Sequence, residues 1–216
     1  MKKDKLSLFF GMIPLRWAKG VLAFLLIAVY QTGFAQTYIP LELTGYNTDA
    51  IVHTGEDPSL SGYLDKPSNG YTYYSKGWKS YGGLPQSFTS NGGVAYQLAS
   101  FTADNVLKLS PNGVQTASLT LVTPLKTGGI WILGTATEAN TKAKIIIHYE
   151  DNTSHEAGEE EYRDWYSGSS SGTAIHGLKR IRTTNSEYDN RANFSLYEKL
   201  IPTDNTKNIV SVEFNI

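Results

Sequence analysis

The chain has 216 residues, 20 glycines, 12% aromatic residues and no cysteine, which excludes disulfide bridges and lipid attachment through a cysteine. Five of the 19 basic residues but only one of the 20 acidic residues precede Gln36, so residues 36–216 carry a net charge of −5. This acidic balance, without a basic stretch, argues against nucleic acid as a partner.

Residues 1–35 have the composition of a signal peptide. Basic residues come first, and the apolar run Val21–Val29 is too short for a bilayer, which needs ~20 residues. Gly33 and Ala35 then form a small-x-small cleavage site. We therefore predict a cleaved leader, a single domain over 36–216 and no membrane span after cleavage. Export to the periplasm, the cell surface or the exterior follows, and a retained signal anchor is the alternative.

Short segments that alternate apolar and polar residues follow one another along the rest of the chain. Turn-forming residues separate them, and no window of a dozen residues has a helical period. This rhythm predicts an all-β fold, an antiparallel β-sandwich. The predicted strands are Leu41–Leu43, Gly45–Val52, Val94–Leu98, Val106–Leu109, Ser118–Leu121, Ile130–Leu133, Lys142–Tyr149, Ser154–Tyr162, Ala174–Arg182, Phe194–Lys199 and Ile209–Ile216.

Burial is predictable for several of these strands. The continuous apolar run Ile130–Leu133 predicts a central strand buried on both faces. The acidic run Glu159–Glu161 indicates an exposed strand whose charges resist edge pairing. The sequence ends on the apolar Ile216, so we expect the domain's last strand to lie beyond it. The inward-facing positions of the two most regular strands are predicted to be Ala143, Ile145, Ile147, Tyr149, Val210, Val212, Phe214 and Ile216.

A two-residue turn at Asp151 and Asn152 would place His148 opposite His155. Two imidazoles near Glu150 make a weak zinc-site hypothesis, since a third or fourth ligand is not visible. Calcium remains open as a structural ion, because loops carry the oxygen ligands that it prefers. No defined calcium-loop spacing is present, and the loop residues considered are Asp49, Glu56, Asp57, Asp65, Asp104 and Asn105.

Two aromatic stretches are the candidates for ligand binding. The first is a loop-rich stretch of tyrosines around Trp78, and the second is Arg163–Tyr166, which ends a strand and enters a Gly/Ser-rich loop. Sugar rings pack on aromatic rings while polar neighbours hold their hydroxyls. The alternative is structural packing, with Trp165 buried at the sandwich rim. The predicted ligand-binding residues are Tyr73, Tyr74, Trp78, Tyr81, Arg163, Asp164, Trp165 and Tyr166.

A series of short motifs resembles the galactose-binding-domain-like β-sandwiches, closest to jelly-roll modules of secreted proteins from Bacteroidota-type bacteria. The resemblance covers Tyr46 to Ile216 and implies a β-sandwich and, by association, carbohydrate or cell-surface binding. In the hairpin, Asp151-Asn152 stands where that family has Asp-Gly. The motifs are Gly45-Tyr46-Asn47-x-Asp49, Gly83-Leu84-Pro85, Tyr96-Gln97-Leu98, Asn105-x-Leu107-x-Leu109, Ala136-Thr137, Ile147-x-Tyr149-x-Asp151-x-Thr153, Asp164-Trp165-Tyr166, Leu196-Tyr197-Glu198 and Pro202-Thr203-Asp204.

These observations favour an exported, non-catalytic module that binds carbohydrate or a cell-surface glycan through its end loops. A structural or adhesion module of a larger surface protein, with further domains in a longer chain, is the first alternative. A glycoside hydrolase is the second, with Asp164 and Glu198 as the first carboxylate pair to consider. No catalytic constellation and no bound cofactor are predicted.

Overall fold

The computed structural model describes residues 38–216, which form one compact unit, and the predicted leader lies outside these residues. Its regular structure is β-strand apart from one 3₁₀ turn, Pro58–Leu60. The strands are β1 (Leu43–Thr44), β2 (Ile51–Val52), β3 (Tyr71–Tyr74), β4 (Ser87–Thr89), β5 (Ala95–Gln97), β6 (Thr116–Leu125), β7 (Gly129–Gly134), β8 (Thr141–Tyr149), β9 (Ser154–Tyr162), β10 (Thr173–Arg182), β11 (Tyr188–Pro202) and β12 (Ile209–Asn215).

The described strands form two five-stranded sheets that pack as a sandwich, with a small hairpin of β4 and β5 beside them. The first sheet has the order β1-β6-β12-β8-β9, and the second has the order β2-β3-β10-β11-β7. Neighbours pair antiparallel except for β2 and β3, which are parallel. The predicted all-β sandwich is therefore confirmed.

The core between the sheets follows from the alternation of β8. Ile145 and Ile147 are fully buried, and they cluster with Ile201 of β11 in the other sheet. The even-numbered residues of β8 are half-buried or exposed, as expected for a strand with one face toward solvent. The inward positions predicted for β8 are confirmed.

Strand β12 departs from its predicted pattern at one end. Val212 and Phe214 are buried as predicted, but Ile209 is fully buried while Val210 is half-buried. A register shift between Ile209 and Ser211 explains this, because an extra residue in a strand reverses which side chains face inward. β12 is the middle strand of its sheet.

Strand β7 corrects the prediction of a doubly buried central strand. It lies at the edge of the second sheet, and only Ile130 of its six residues is fully buried. A short apolar run does not distinguish a central strand from an edge strand that loops partly cover. The prediction of an exposed strand at Glu159–Glu161 is confirmed: these residues lie on β9, the edge of the first sheet, and are exposed or half-buried.

The tyrosine-rich stretch also differs from its prediction as loop. Tyr71–Tyr74 form β3, which pairs with β10 and β2. Conversely, the predicted strand at Val106–Leu109 is irregular, and Val106 makes one isolated bridge with Thr48. Tyrosine suits strands as well as surface loops, so the tyrosines alone did not distinguish the two. The turn-forming glycines around them favoured the loop, and that prediction was wrong.

The β8–β9 hairpin has a three-residue loop rather than a two-residue turn. Tyr149 pairs with Thr153, and the amide of Asn152 donates to the carbonyl of Tyr149. Asn152 has a φ of 63°, the left-handed conformation that such a loop requires. His148 consequently lies opposite Ser154, so the predicted pairing of His148 with His155 was wrong.

Candidate functional site

A shallow cleft of about 200 Å³ lies where three loops meet β10 and β11. The three loops precede β3, join β7 to β8, and join β9 to β10. We call this feature the rim cleft. Its lining residues are Asp65, Asn69, Glu138, Asp164, Trp165, Tyr166, Arg180 and Arg191.

The segment Arg163–Tyr166 reaches the cleft because it is tied to the β7–β8 loop. The Ala136 amide donates to the carbonyl of Arg163, and the Trp165 amide donates to the carbonyl of Ala136. The Asp164 carboxylate accepts a bond of 2.8 Å from the Tyr166 amide, a local turn typical of aspartate. Asp164 forms no salt bridge with any described residue, and its bond from the Tyr166 amide uses one of its two carboxylate oxygens.

Trp165 forms the floor of the cleft rather than an exposed platform. It is 2% exposed, and its ring contacts Tyr73 and Phe194 edge-on at centroid distances of 5.3 Å. The structural alternative for Trp165, burial at the rim, is therefore confirmed. Tyr166 is 47% exposed and is the aromatic side chain that the cleft offers to solvent.

Arg180 lines the cleft and is held in place by aromatic rings and carboxylates. Its guanidinium lies 4.0 Å from the Tyr71 ring and 4.4 Å from the Phe194 ring. It donates to Asp189 at 3.0 Å and to Asp65 at 3.3 Å. A cation fixed by rings and two carboxylates keeps its geometry without a ligand, which lowers the entropic cost of binding one.

Asp189 links the two arginines of the cleft. Arg191 binds it with both Nε and a terminal nitrogen, at 2.8 and 2.5 Å, and also donates to the Tyr166 hydroxyl at 3.3 Å. Burial would raise the pKa of Asp189, but hydrogen bonds from Arg191 and Arg180 outweigh it and lower the pKa to about 2. Asp189 thereby orients Arg191, and through it Tyr166.

Asp65 and Glu138 form a carboxylate pair on the opposite wall. Burial, reinforced by the hydrogen bond with Glu138, raises the pKa of Asp65 to about 6. The pKa of Glu138 is lowered by its hydrogen bonds with Asp65 and Lys66. The Asn69 amide also donates to Glu138 at 3.0 Å. A protonated Asp65 that donates to an ionised Glu138 explains both directions.

The backbone at Glu138 supports a special role for this wall. Its φ is 70°, in the left-handed region that few non-glycine residues adopt. The Lys66 ammonium and the Asn69 amide hold its carboxylate. The strained residue is thus one that presents a carboxylate to the cleft.

The other predicted ligand-binding residues are dispersed. Tyr73 and Tyr74 are each 1% exposed and point to opposite faces of β3. Tyr73 packs under the cleft with Trp165, whereas Tyr74 packs with Trp78 elsewhere. Arg163 is exposed but does not line the cleft, and Tyr81 is 68% exposed away from it. The two aromatic stretches therefore do not share one open surface.

The predicted metal ligands are used in local interactions. His148 Nε2 lies 3.2 Å from Glu213, while His155 is exposed. Asp57 caps the 3₁₀ turn through Ser59, and Asp49 accepts a bond of 2.6 Å from Asn105. Within residues 38–216, no group of three His, Asp or Glu side chains is arranged to hold a metal ion.

Glu198 does not join Asp164 in the cleft. It is 6% exposed and accepts a bond of 3.1 Å from the Tyr96 hydroxyl. The carboxylates that do accompany Asp164 are Asp65 and Glu138. Sequence reasoning considered Asp65 only as a calcium ligand, and it missed Asn69, Glu138, Arg180 and Arg191 as members of this site. The basic residues Lys179, Arg180 and Arg182 at the end of a predicted strand were the one available signal.

Comparison with known proteins leaves the site without a family. No protein-family model matches the chain, and no curated protein matches it either. In the part of the chain that the structure describes, no helix has the length and apolar character needed to cross a membrane.

Proposed function

We propose that this protein is an exported, non-catalytic binding module that recognises carbohydrate at the rim cleft. The observation that carries the proposal is the convergence of three carboxylates, two arginines, an amide and an exposed tyrosine in one preformed cleft. The leader predicted over residues 1–35 supports export. The resemblance to galactose-binding-like jelly rolls supports a glycan as the ligand.

The chemistry of the cleft suits a sugar better than a strongly charged ligand. Hydroxyl groups both donate and accept, and the cleft offers carboxylate acceptors beside guanidinium and amide donors. Asp65 and Asp189 already balance the charge of the two arginines, and Glu138 pairs with a lysine. The single charge of Asp164 is left among the residues of the cleft, so the cleft lacks the larger excess of one sign that a strongly charged ligand requires. The exposed part of Tyr166 supplies an apolar surface for a sugar C–H face.

A glycan array followed by affinity electrophoresis in neutral polysaccharides tests the proposal. Tyr166→Ala and Asp164→Asn are expected to weaken binding about tenfold or more, a loss of ~1.4 kcal/mol. Asparagine keeps the acceptor for the Tyr166 amide, so this second variant removes charge without breaking the turn. Tyr81→Ala, which removes an exposed tyrosine elsewhere, should bind normally.

If the folded protein binds no neutral glycan, the proposal is contradicted. The structural or adhesion module is then the favoured function. Equal weakening by Tyr81→Ala and Tyr166→Ala would show that binding does not take place at the rim cleft. Thermal unfolding of each variant establishes that the altered binding is not a consequence of misfolding.

A glycoside hydrolase is the second candidate, favoured by the pKa of Asp65. An acid with a pKa of about 6 near ionised carboxylates is a general-acid arrangement. The residues would be Asp65 as acid and Asp164 as the ionised partner, instead of Asp164 with Glu198. Release of reducing ends from a bound polysaccharide, abolished by Asp65→Asn, would establish it.

A further inference from the structure

A second exposed surface lies on the loop between β3 and β4 and on the adjoining parts of β10 and β11. Trp78 and Tyr188 stack at 5.5 Å, and the Lys79 ammonium lies over both rings at 5.8 and 5.1 Å. The Lys179 ammonium lies 4.2 Å from the ring of Tyr81. We call this surface the lysine–aromatic patch, and it consists of Lys76, Trp78, Lys79, Tyr81, Lys179 and Tyr188.

The loop backbone brings these lysines together. The Lys179 amide donates to the carbonyl of Gly82, and a side chain at Gly82 would collide with the Lys179 stem. A Cβ at Gly83 would lie 2.7 Å from the Lys76 Cα and 2.6 Å from the Lys79 carbonyl oxygen. The two glycines therefore let the turn that carries Lys76 and Lys79 pack beside Lys179 of β10.

The three lysines have no carboxylate partner among the described residues, whereas five other lysines do. Glu187, next to Tyr188 in the chain, is paired with Arg182. The rings keep the ammonium groups in place but neutralise no charge. Three cations without a carboxylate partner create a local region of positive potential, although the domain as a whole has a net charge of −5.

We propose that the lysine–aromatic patch binds an acidic polysaccharide, a chain of carboxylated sugars, independently of the rim cleft. Carboxylates pair with the lysines, and the exposed ring of Tyr81 packs on a sugar C–H face. The unpaired positive charges of the lysines favour an anionic ligand over a neutral one. A nucleic acid fits less well, because successive bases stack on successive bare rings. Trp78 and Tyr188 stack on each other beneath Lys79, so Tyr81, which is 68% exposed, is the one ring of the patch left for such a contact.

The probe is polygalacturonate, and its fully methyl-esterified, uncharged form is the control ligand. The full chain is expected to be retarded in affinity gels by the acidic form alone, less so as salt rises from about 20 to about 200 mM. Lys79→Gln/Lys179→Gln should weaken this binding about tenfold, because each exposed ion pair contributes modestly and the variant removes two of them. Tyr81→Ala should weaken it as well, and Tyr166→Ala should not.

The matched control is Lys142→Gln/Lys144→Gln, which changes net charge equally but removes lysines paired with Glu159 and Glu156. Equal weakening by both double variants would attribute binding to net charge and overturn the proposal. No retardation by polygalacturonate, or tighter binding to an oligothymidylate than to polygalacturonate, would also overturn it. Because neutral-glycan binding is measured separately, failure here leaves the rim cleft's function unaffected.

Discussion

Asp189 illustrates how single residues determine the geometry of the rim cleft. It is 7% exposed and accepts hydrogen bonds from Arg180 and Arg191. Removing one partner of a buried ion pair leaves the other charge without compensation, at a cost of about 3–5 kcal/mol. Half of the Arg191 side chain is exposed and water relieves part of this cost, so we expect Asp189→Asn to lower the free energy of unfolding by ~3 kcal/mol.

Urea unfolding at pH 7 measures this change. Asp151→Asn is the matched control, because Asp151 also pairs with a basic residue, Lys207, but is half-exposed at a hairpin. Its effect should be small, as for other surface ion pairs. Equal losses from the two variants would mean that Asp189 is an ordinary surface carboxylate.

Asp65 should make stability depend on pH in the direction opposite to Asp189. Its pKa is raised from 3.8 to about 6 in the folded state, so the folded protein holds this proton more tightly than the unfolded chain. Its stabilising contribution is complete below pH 3.8 and is lost as the pH rises through 6. The Asp65→Asn variant has no titratable group at this position, so its free energy of unfolding lacks this pH-dependent decrease.

The measurement is urea unfolding of wild type and Asp65→Asn at pH 4, 5, 6 and 7, a series chosen to span the rise in pKa. The stability of wild type relative to the variant should fall across this series. A constant difference would show that the Asp65 pKa is not raised by folding, and it would remove the main support for the hydrolase alternative.

At the scale of the element, the β8–β9 hairpin depends on one left-handed residue. Asn152 has a φ of 63°, which glycine adopts without strain and a β-branched residue does not. We expect Asn152→Gly to change stability by less than about 0.5 kcal/mol or to increase it, and Asn152→Val to destabilise by ~1–2 kcal/mol. Thermal unfolding measures both.

The control for this hairpin is Asn190→Gly, which places glycine at an exposed position within β11. There the extra backbone freedom should cost ~1 kcal/mol. If glycine destabilised both positions equally, Asn152 would not hold the left-handed conformation, and the register that separates His148 from His155 would be wrong.

For the whole molecule, the shared core predicts that the two sheets unfold together. Ile147 of the first sheet and Ile201 of the second are at most 1% exposed and belong to one cluster. Truncating either to alanine should cost about 2–5 kcal/mol and shift the same single calorimetric transition. Val122→Ala, at a position 50% exposed on β6, should cost less than about 1 kcal/mol. Two separate transitions would contradict a common core.

Local regularity explains which parts of the fold were predictable. The inward face of β8 and the charged edge of β9 follow from alternation over two neighbouring strands, which the chain itself displays. The edge position of β7 and the strand at Tyr71–Tyr74 depend on partners distant in sequence. The register of the β8–β9 hairpin depended on whether Glu150 belonged to the loop, because adding one residue to the loop changes every cross-strand pair.

The sequence by itself determined the all-β class, most of the long strands and the placement of Asp164–Tyr166 at a strand end, because alternation and turn residues act over a few neighbouring positions. Only the tertiary structure decided that Asp65, Glu138, Arg180 and Arg191 join that segment in one cleft, while Trp78 and Tyr81 lie elsewhere. Side chains from three loops and two strands meet only after the sheets have packed. The hydrogen bonds, burial and pKa values of these side chains depend on contacts between distant parts of the chain, so no local sequence pattern predicts them.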